Sequence, residues 1–153
     1  MEPELYYAGI GARETPPFFL EIMRAYGEFM AESGYILRSG GALGADSAFA
    51  SGAGHNKEIY SPYGYIPDEA IETVYKYHPA SERLSPYVTK LHARNALIVL
   101  GPKLNDPVKK LVCWTKGGKV VGGTGQALRI AMDYDIPIIN MGKPKFDAEE
   151  LFK

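Results

Sequence analysis

The sequence predicts an α/β fold in which a parallel sheet carries helices on both faces. Short apolar runs alternate with segments whose apolar residues recur every three or four positions. Three glycine-rich turns each stand between such a run and the helical segment after it. The 153 residues are close to the commonest size of one domain and can bury a core without a metal or disulfide. We therefore expect a single domain over residues 1–153.

The first half of the chain predicts three strands and two helices between them. The first helix opens at Pro16–Pro17, because proline suits the first turn of a helix, and it ends at Gly34. The second helix follows the turn at 39–44 and closes at Gly52 and Gly54. The predicted strands are the apolar runs at 5–10, 35–38 and 57–61.

The second half predicts two strands, three longer helical segments and a short closing helix. After a loop at 61–67, Asp68 caps a helix that runs to about His78. A further helix starts at Ser85–Pro86 and is followed by a break at 102–107. The remaining predicted elements are a strand at 108–114, a glycine-rich loop at 115–125, a helix through 127–134, a strand at 136–140 and a short helix at 146–153.

Composition limits the function classes. The chain has 17 Lys plus Arg and 18 Asp plus Glu, a net charge of −1, which argues against a protein that coats nucleic acid but leaves a local basic groove open. Its one cysteine, Cys113, excludes an internal disulfide. It has no apolar run long enough to span a membrane and no N-terminal pattern of a secretory signal. We therefore expect a cytoplasmic protein without membrane contact.

The three glycine-rich turns predict an anion site. They span Gly9–Arg13, Ser39–Gly44 and Gly122–Gly125, each before a helix. Glycine lets the backbone approach a ligand closely, and the free N–H groups of a helix N-terminus attract phosphate. The alternative is that small residues merely permit tight packing between strand and helix. No turn matches the G-x-G-x-x-G or G-x-x-x-x-G-K-[ST] fingerprint, which makes a standard dehydrogenase or P-loop ATPase a poor fit.

Four side chains near these turns have both a structural and a functional interpretation. Arg13 suits a phosphate or carboxylate, or else forms a surface ion pair with an acidic neighbour. Asp46, in the first helical turn, either offsets the helix dipole or contacts a ribose hydroxyl or serves catalysis. Arg94 and Asn95 lie among apolar neighbours, where a charge must be paired or face a ligand. His92 is two residues from Arg94 and is therefore expected on the other side of that helix.

The remaining polar and aromatic residues give weaker signals. His55 and His78 are isolated and have no metal-ligand spacing, so we expect no metal and no cofactor. Tyrosines cluster around the first strand, the third strand and the loop after it. They are either core residues or a surface on which a purine stacks. These tyrosines are Tyr6, Tyr7, Tyr60, Tyr63 and Tyr65.

Two segments resemble a known protein family. Ala8–Arg13, and after one helix Leu37–Ala48, resemble the start of the Rossmann-like domain of DprA (also called Smf), with its G-x-R turn and S-G-x-A-x-G-x-D-x-x-A segment. Arg94-Asn95 resembles the R-N element of the same family. DprA belongs to the SLOG superfamily, which also includes the LOG (Lonely Guy) phosphoribohydrolases. The resemblance covers most of the chain, from about Leu5 to Gly142.

The LOG enzymes provide a second point of resemblance. Gly122–Gly125 resembles their P-G-G-x-G-T-x-x-E loop, and His92-Ala93-Arg94 matches their histidine-x-arginine element. Val121, Gln126 and Arg129 stand where that loop has its proline, its threonine and its catalytic glutamate.

The SLOG resemblance implies five parallel strands in the order 3-2-1-4-5, with the switch point between strands one and four. It implies binding of a phosphate-bearing nucleotide or a nucleotide-derived signal, such as a cyclic or ADP-ribose-type nucleotide, by a small stand-alone sensor or sequestering protein. Relatives are commonly dimers, so we expect a homodimer or higher homo-oligomer. The expected ligand-binding residues are Gly9, Gly11, Ala12, Arg13, Ser39, Gly40, Gly41, Gly44, Asp46, Arg94, Asn95, Gly122, Gly123, Thr124, Gly125 and Gln126.

Two alternative functions remain. One is a LOG-like hydrolase or transferase that acts on the N-glycosidic bond of nucleoside monophosphates, with Asp46, Glu14 and Arg94 as its candidate catalytic residues. The other is a DprA-like accessory protein that binds single-stranded DNA.

Overall fold

The computed structural model describes residues 4–153 and confirms the predicted fold class and strand order. Five parallel strands form one sheet in the order β3-β2-β1-β4-β5. The central strand β1 pairs with β2 through Leu5 opposite Tyr35, and with β4 through Ala8 opposite Leu111. The strands are β1 Leu5–Gly9, β2 Tyr35–Ser39, β3 Lys57–Ile59, β4 Leu111–Cys113 and β5 Ile138–Asn140.

Two helical layers cover the sheet. Alternate residues of β1 point to opposite faces, so that Tyr7 packs with the layer of α1, α2 and α6, and Ala8 packs with the layer of α3, α4 and α5. No helix formed by residues 4–153 has the length and apolarity needed to cross a membrane. The helices are α1 Pro17–Glu32, α2 Ala45–Ala53, α3 Asp68–Tyr77, α4 Pro86–Leu100, α5 Gly122–Asp133 and α6 Ala148–Leu151, with single 3-10 turns at Ser81–Arg83 and Lys116–Gly118.

Several element boundaries differ from the sequence prediction. β3 ends at Ile59 rather than at residue 61, β5 begins at Ile138 rather than at residue 136, and α6 is shortened to Ala148–Leu151. β4 starts at Leu111 rather than at residue 108, because the Val108 N–H donates back to the Val99 carbonyl of α4 at 2.9 Å. α5 already begins at Gly122, inside the segment predicted as a loop. Asp68 is the first residue of α3 rather than its cap; Pro67 occupies the cap position, with no side-chain hydrogen bond.

Arg38, at the end of β2, is a structural residue. The residue is 1% exposed, and its guanidinium lies 3.8 Å from the centre of the Tyr6 ring and donates to the carbonyl and carboxylate of Asp106 at 2.7 and 2.8 Å. Glu58 lies 3.5 Å away and adds a second carboxylate. These contacts fasten the segment after α4 to the sheet and keep the charge of Arg38 away from the cleft described below.

Glycine at position 27 lets α1 and α2 cross at close range. A Cβ atom there would lie 2.5 Å from the Phe49 carbonyl oxygen and 3.1 Å from the Ala53 nitrogen, both backbone atoms of α2. Backbone atoms of a packed helix cannot turn aside as a flexible side chain can. The close approach of the two helices therefore requires a residue without a Cβ at this point.

We predict that Gly27→Ala destabilises the protein by roughly 1–3 kcal/mol, because a forced backbone shift outweighs the gain in helix propensity that this change usually brings. The matched control is Gly64→Ala in a surface loop, where the new Cβ would lie 3.5 Å from its nearest neighbour, an ordinary contact. Urea unfolding of both variants measures the difference. A Gly27→Ala protein as stable as the parent would contradict this account of the helix crossing.

Candidate functional site

A cleft of about 630 Å³ opens where the carboxyl ends of β1 and β4 part. This is the position at which doubly wound sheets bind their ligands, and the volume lies in the range of small-molecule sites. Its walls are the β1–α1 loop, the turn into α2, one face of α4 from Tyr87 to Asn95 and the start of α5. Of the residues predicted for the site, the cleft brings together Gly11, Ala12, Arg13, Glu14, Asp46, Arg94, Asn95, Gly122, Gly123 and Thr124.

The other predicted residues lie outside the cleft lining. A Cβ at Gly9 would meet Phe49 at 2.7 Å, so this glycine serves packing between strand and helix. The Ser39 hydroxyl donates to the Gly9 carbonyl at 2.6 Å. Gln126 is fully buried and hydrogen-bonds with Thr73 and Arg129. The remaining residues outside the lining are Gly40, Gly41, Gly44 and Gly125.

The N-terminus of α5 presents free backbone donors to the cleft. The first hydrogen bond of the helix runs from the Gly125 N–H to the Val121 carbonyl at 3.0 Å, so the amides of Gly122, Gly123 and Thr124 precede the helical ladder. The first turn contains no acidic residue. Asn95 donates from its side-chain amide to the Gly123 carbonyl at 3.0 Å and holds this turn against α4. The resulting geometry suits an anion.

The N-terminus of α2 differs because Asp46 already occupies it. One carboxylate oxygen of Asp46 accepts the Ala42 N–H at 3.2 Å. The other, Oδ1, is buried and finds no hydrogen-bond partner within residues 4–153. An anionic ligand group is therefore favoured at α5 and repelled at α2, whereas the glycine-rich turns alone predict phosphate equally at both helix ends.

Burial makes the Asp46 carboxyl an acid that titrates near neutrality. The side chain is only 4% exposed, and this desolvation raises its pKa to about 6. The Ala42 amide, the Arg94 guanidinium and the amides of Gly11 and Gly40 act in the opposite direction and limit the rise of that pKa. Asp46 can therefore hold or release a proton close to neutral pH.

Arg94 crosses from α4 to the loops after β2 and β3. Its Nη1 donates to the Gly40 carbonyl at 2.6 Å and lies 3.5 Å from the Tyr60 carbonyl. A Cβ at Gly40 would stand 2.7 Å from the guanidinium carbon, so the glycine makes room for this contact. Arg94 also lines the cleft, and its Nε has no acceptor among the described residues. It therefore holds the Gly40 loop and adds positive charge to the cleft at the same time.

Arg13 and Glu14 reach the cleft from the β1–α1 loop. Both are exposed, and neither belongs to an ion pair in the part of the chain that the structure describes. The predicted alternative, a surface pair between Arg13 and a nearby glutamate, is therefore not formed. The charged side chains that line the cleft are two cations, Arg13 and Arg94, and two carboxylates, Glu14 and Asp46.

The structure corrects the placement of His92, which lines the same cleft as Arg94. The cleft covers two adjacent rows of α4, one with Val88, His92 and Asn95 and one with Tyr87, Leu91 and Arg94. The angle between His92 and Arg94 around the helix axis places them in different rows, but the cleft is wide enough to cover both rows. Burial lowers the His92 pKa to about 4, so its imidazole is neutral at pH 7.

Two tyrosines stand together at the mouth of the cleft. Tyr87 lines it, and the Tyr63 ring lies 5.7 Å from that of Tyr87 at 35°. Tyr63 is 82% exposed, which leaves one aromatic surface open. The other clustered tyrosines have different positions: Tyr7 is in the core, Tyr6 lies against Arg38, Tyr60 donates to Glu58, and Tyr65 is exposed outside the cleft lining.

Fold and site together define a doubly wound α/β protein with a ligand-sized cleft at its switch point. Among solved structures, the chain is similar to DNA processing protein A from Helicobacter pylori, whose single-stranded DNA binding mode has been described; the TM-score is 0.64 and the identity 20%, over 90% of this chain and 65% of that one. It is also similar to the molybdenum cofactor carrier protein of Chlamydomonas reinhardtii, with a TM-score of 0.57 and 17% identity over 97% of this chain and 82% of that one.

These likenesses establish a shared fold, and they confirm at the level of the fold the resemblance to DprA found in the sequence. The chain spans 65% of the length of the Helicobacter protein. No family model matches the chain, and no curated protein matches it by sequence.

The raised pKa of Asp46 predicts a pH-dependent stability. The native carboxyl holds its proton to about pH 6, against 3.8 for the free side chain, so the free energy of unfolding falls as the pH rises between these values. We expect Asp46→Asn to be more stable than the parent at pH 8, by up to about 3 kcal/mol, and to lose most of this advantage at about pH 4. Thermal unfolding at the two pH values checks this, and an equal difference at both would show that the carboxyl is not perturbed.

Proposed function

We propose that the cleft binds a phosphate-bearing nucleotide or a nucleotide-derived signal. The observation that carries the proposal is the N-terminus of α5, whose free amides at Gly122, Gly123 and Thr124 face the same cleft as Arg13 and Arg94. Backbone amides and guanidinium groups are the donors that phosphate prefers. A small sensor or sequestering protein needs no more than such a site.

The cleft offers separate positions for the phosphate and the base of a nucleotide. The phosphate fits the start of α5 because the buried carboxylate of Asp46 repels it from the start of α2. The exposed aromatic pair, Tyr63 and Tyr87, offers a face on which a base can stack. The descriptions of the two similar structures, one a DNA-binding protein and one a cofactor carrier, are compatible with a binding role.

Gly123→Val tests the phosphate position. A Cβ at Gly123 would meet nothing within 4 Å, so the fold should tolerate the substitution. Because Gly123 lines the cleft, the added methyl groups should occupy the anion position and weaken nucleotide binding at least about tenfold, the loss of roughly one charge-assisted hydrogen bond. Calorimetric titration with nucleoside mono- and diphosphates measures the effect, and thermal unfolding verifies that the fold is intact.

The control for this experiment is Ser51→Val, at an exposed position of α2 outside the cleft lining. It should bind like the parent. Gly41 is a poorer choice, because its φ of +74° and a Cβ contact of 2.8 Å with Ile59 make any substitution there a test of folding. If Gly123→Val binds nucleotides as tightly as the parent does, phosphate does not sit at α5.

A second candidate function is hydrolysis or transfer at the N-glycosidic bond of a nucleoside monophosphate. The specific observation in its favour is Asp46, an acid with a pKa of about 6 inside the cleft. Against it stands Arg129, which occupies the position of the LOG glutamate. Its Nη2 donates to Gln126 at 2.9 Å, and the residue lies outside the cleft lining.

We therefore predict little or no release of free base from adenosine monophosphate, because the carboxylate expected from the LOG pattern is missing. Chromatography of the four common nucleoside monophosphates after prolonged incubation measures this. Turnover that disappears in Asp46→Asn or Glu14→Gln would instead establish the glycosidase.

Binding of single-stranded DNA remains a third proposal, based on the likeness to DNA processing protein A. Affinity for an oligonucleotide that falls steeply with salt would support it, because each phosphate neutralised by a cation releases counterions. A homodimer or higher oligomer also remains a prediction, which light scattering would test.

A further inference from the structure

The buried carboxylate of Asp46 has one oxygen without a well-formed hydrogen bond to residues 4–153. Asp46 is 4% exposed, and its second oxygen accepts the Ala42 N–H at 3.2 Å. Oδ1 is buried too, and the amides of Gly11 and Gly40 lie close enough to lower the pKa of the carboxyl but do not reach hydrogen-bond geometry with this oxygen. A buried acceptor without a donor is costly, and natural proteins rarely keep one without a purpose.

The position of the carboxylate in the cleft indicates what the donor is. Asp46 lines the cleft together with Gly11 and Ala42, so that a ligand seated there lies against it. The donor has to be a neutral or cationic part of the ligand, because a phosphate oxygen would be repelled. In a nucleotide whose phosphate is at α5 and whose base is at the tyrosines, the part between them is the sugar, and its donors are hydroxyl groups.

We infer that Asp46 accepts a hydrogen bond from a ribose hydroxyl through its free Oδ1, so that the cleft selects ribonucleotides over their deoxy counterparts. The inference rests on the proposed function and names the substrate class of that same site. The Arg94 guanidinium nearby favours the ionised carboxylate, which is the stronger acceptor. A deoxynucleotide displaces water from the cleft and leaves Oδ1 without a donor, which is the arrangement by which a polar site rejects an analogue.

A ligand contact and a purely structural role of Asp46 predict different effects when the carboxylate is removed. If the carboxylate only anchored the Ala42 loop, its removal would weaken every ligand to the same degree. If it binds a sugar hydroxyl, its removal reduces the ratio of ribo to deoxy affinity. The ratio is therefore the diagnostic quantity, since a general disturbance of the cleft leaves it unchanged.

The experiment is calorimetric titration of the parent chain with the four common nucleoside 5′-monophosphates and with the 2′-deoxy and 3′-deoxy analogue of each. The same titrations are then made with Asp46→Leu and Asp46→Ala. Asp46→Leu keeps roughly the size of the side chain and can neither donate nor accept a hydrogen bond, so it answers the question even if Asp46→Ala does not fold. Asp68→Asn is the matched control, another aspartate in the first turn of a helix but outside the cleft lining.

For the parent and for Asp68→Asn we expect at least one ribonucleotide to bind about tenfold or more tightly than one of its deoxy analogues, the usual effect of a hydrogen bond to a charged group. In both Asp46 variants this preference should shrink to about threefold or less. Equal affinity for ribo and deoxy forms in the parent would overturn the inference and leave nucleotide binding intact. A preference that persists in both Asp46 variants would also overturn it. Absence of binding by all twelve compounds, and by cyclic nucleotides and ADP-ribose titrated beside them, would overturn the proposed function itself.

Discussion

The reversal of winding at β1 is the constraint on which the rest of the architecture depends. β1 leads to α1 on one face of the sheet, whereas its neighbour β4 leads to α5 on the other face. The two chain segments therefore leave the same edge in opposite directions, and the space between them cannot be filled by either helix. The cleft is the consequence, and it places the β1–α1 loop opposite the start of α5.

The glycines divide into three groups with different physical roles. Gly9 and Gly27 lie where a Cβ would strike a neighbouring helix, so they permit close packing. Gly123 lines the cleft in open space at the start of α5, so its small size leaves room in the cleft. Gly41 and Gly44 have φ values of +74° and +88° and shape the turn into α2. Glycine-rich turns of similar sequence therefore have different physical roles.

Charge is distributed unevenly around the cleft. The start of α5 offers unpaired amides with no acidic side chain in its first turn, whereas the start of α2 carries a buried carboxylate of its own. Arg94 joins α4 to the Gly40 loop. Its guanidinium therefore both holds this loop in place and adds positive charge to the cleft. Burial of the Asp46 carboxylate destabilises the folded protein. Proteins retain local destabilisation of this kind where it serves function.

The sequence by itself determined the α/β class, the five strands and the glycine-rich turns near the cleft. Hydrophobic periodicity and glycine positions are local features of the sequence, and the structure agrees with them. It also indicated Arg13, Asp46, Arg94 and Gly123, which the cleft does bring together. Only the tertiary structure decided that Gln126 turns toward α3, that His92 shares the cleft with Arg94, and that Asp46 leaves one buried oxygen free. These facts depend on how far apart neighbouring elements stand and on which backbone amides meet a side chain, and neither is encoded in the spacing of residues along one helix or strand.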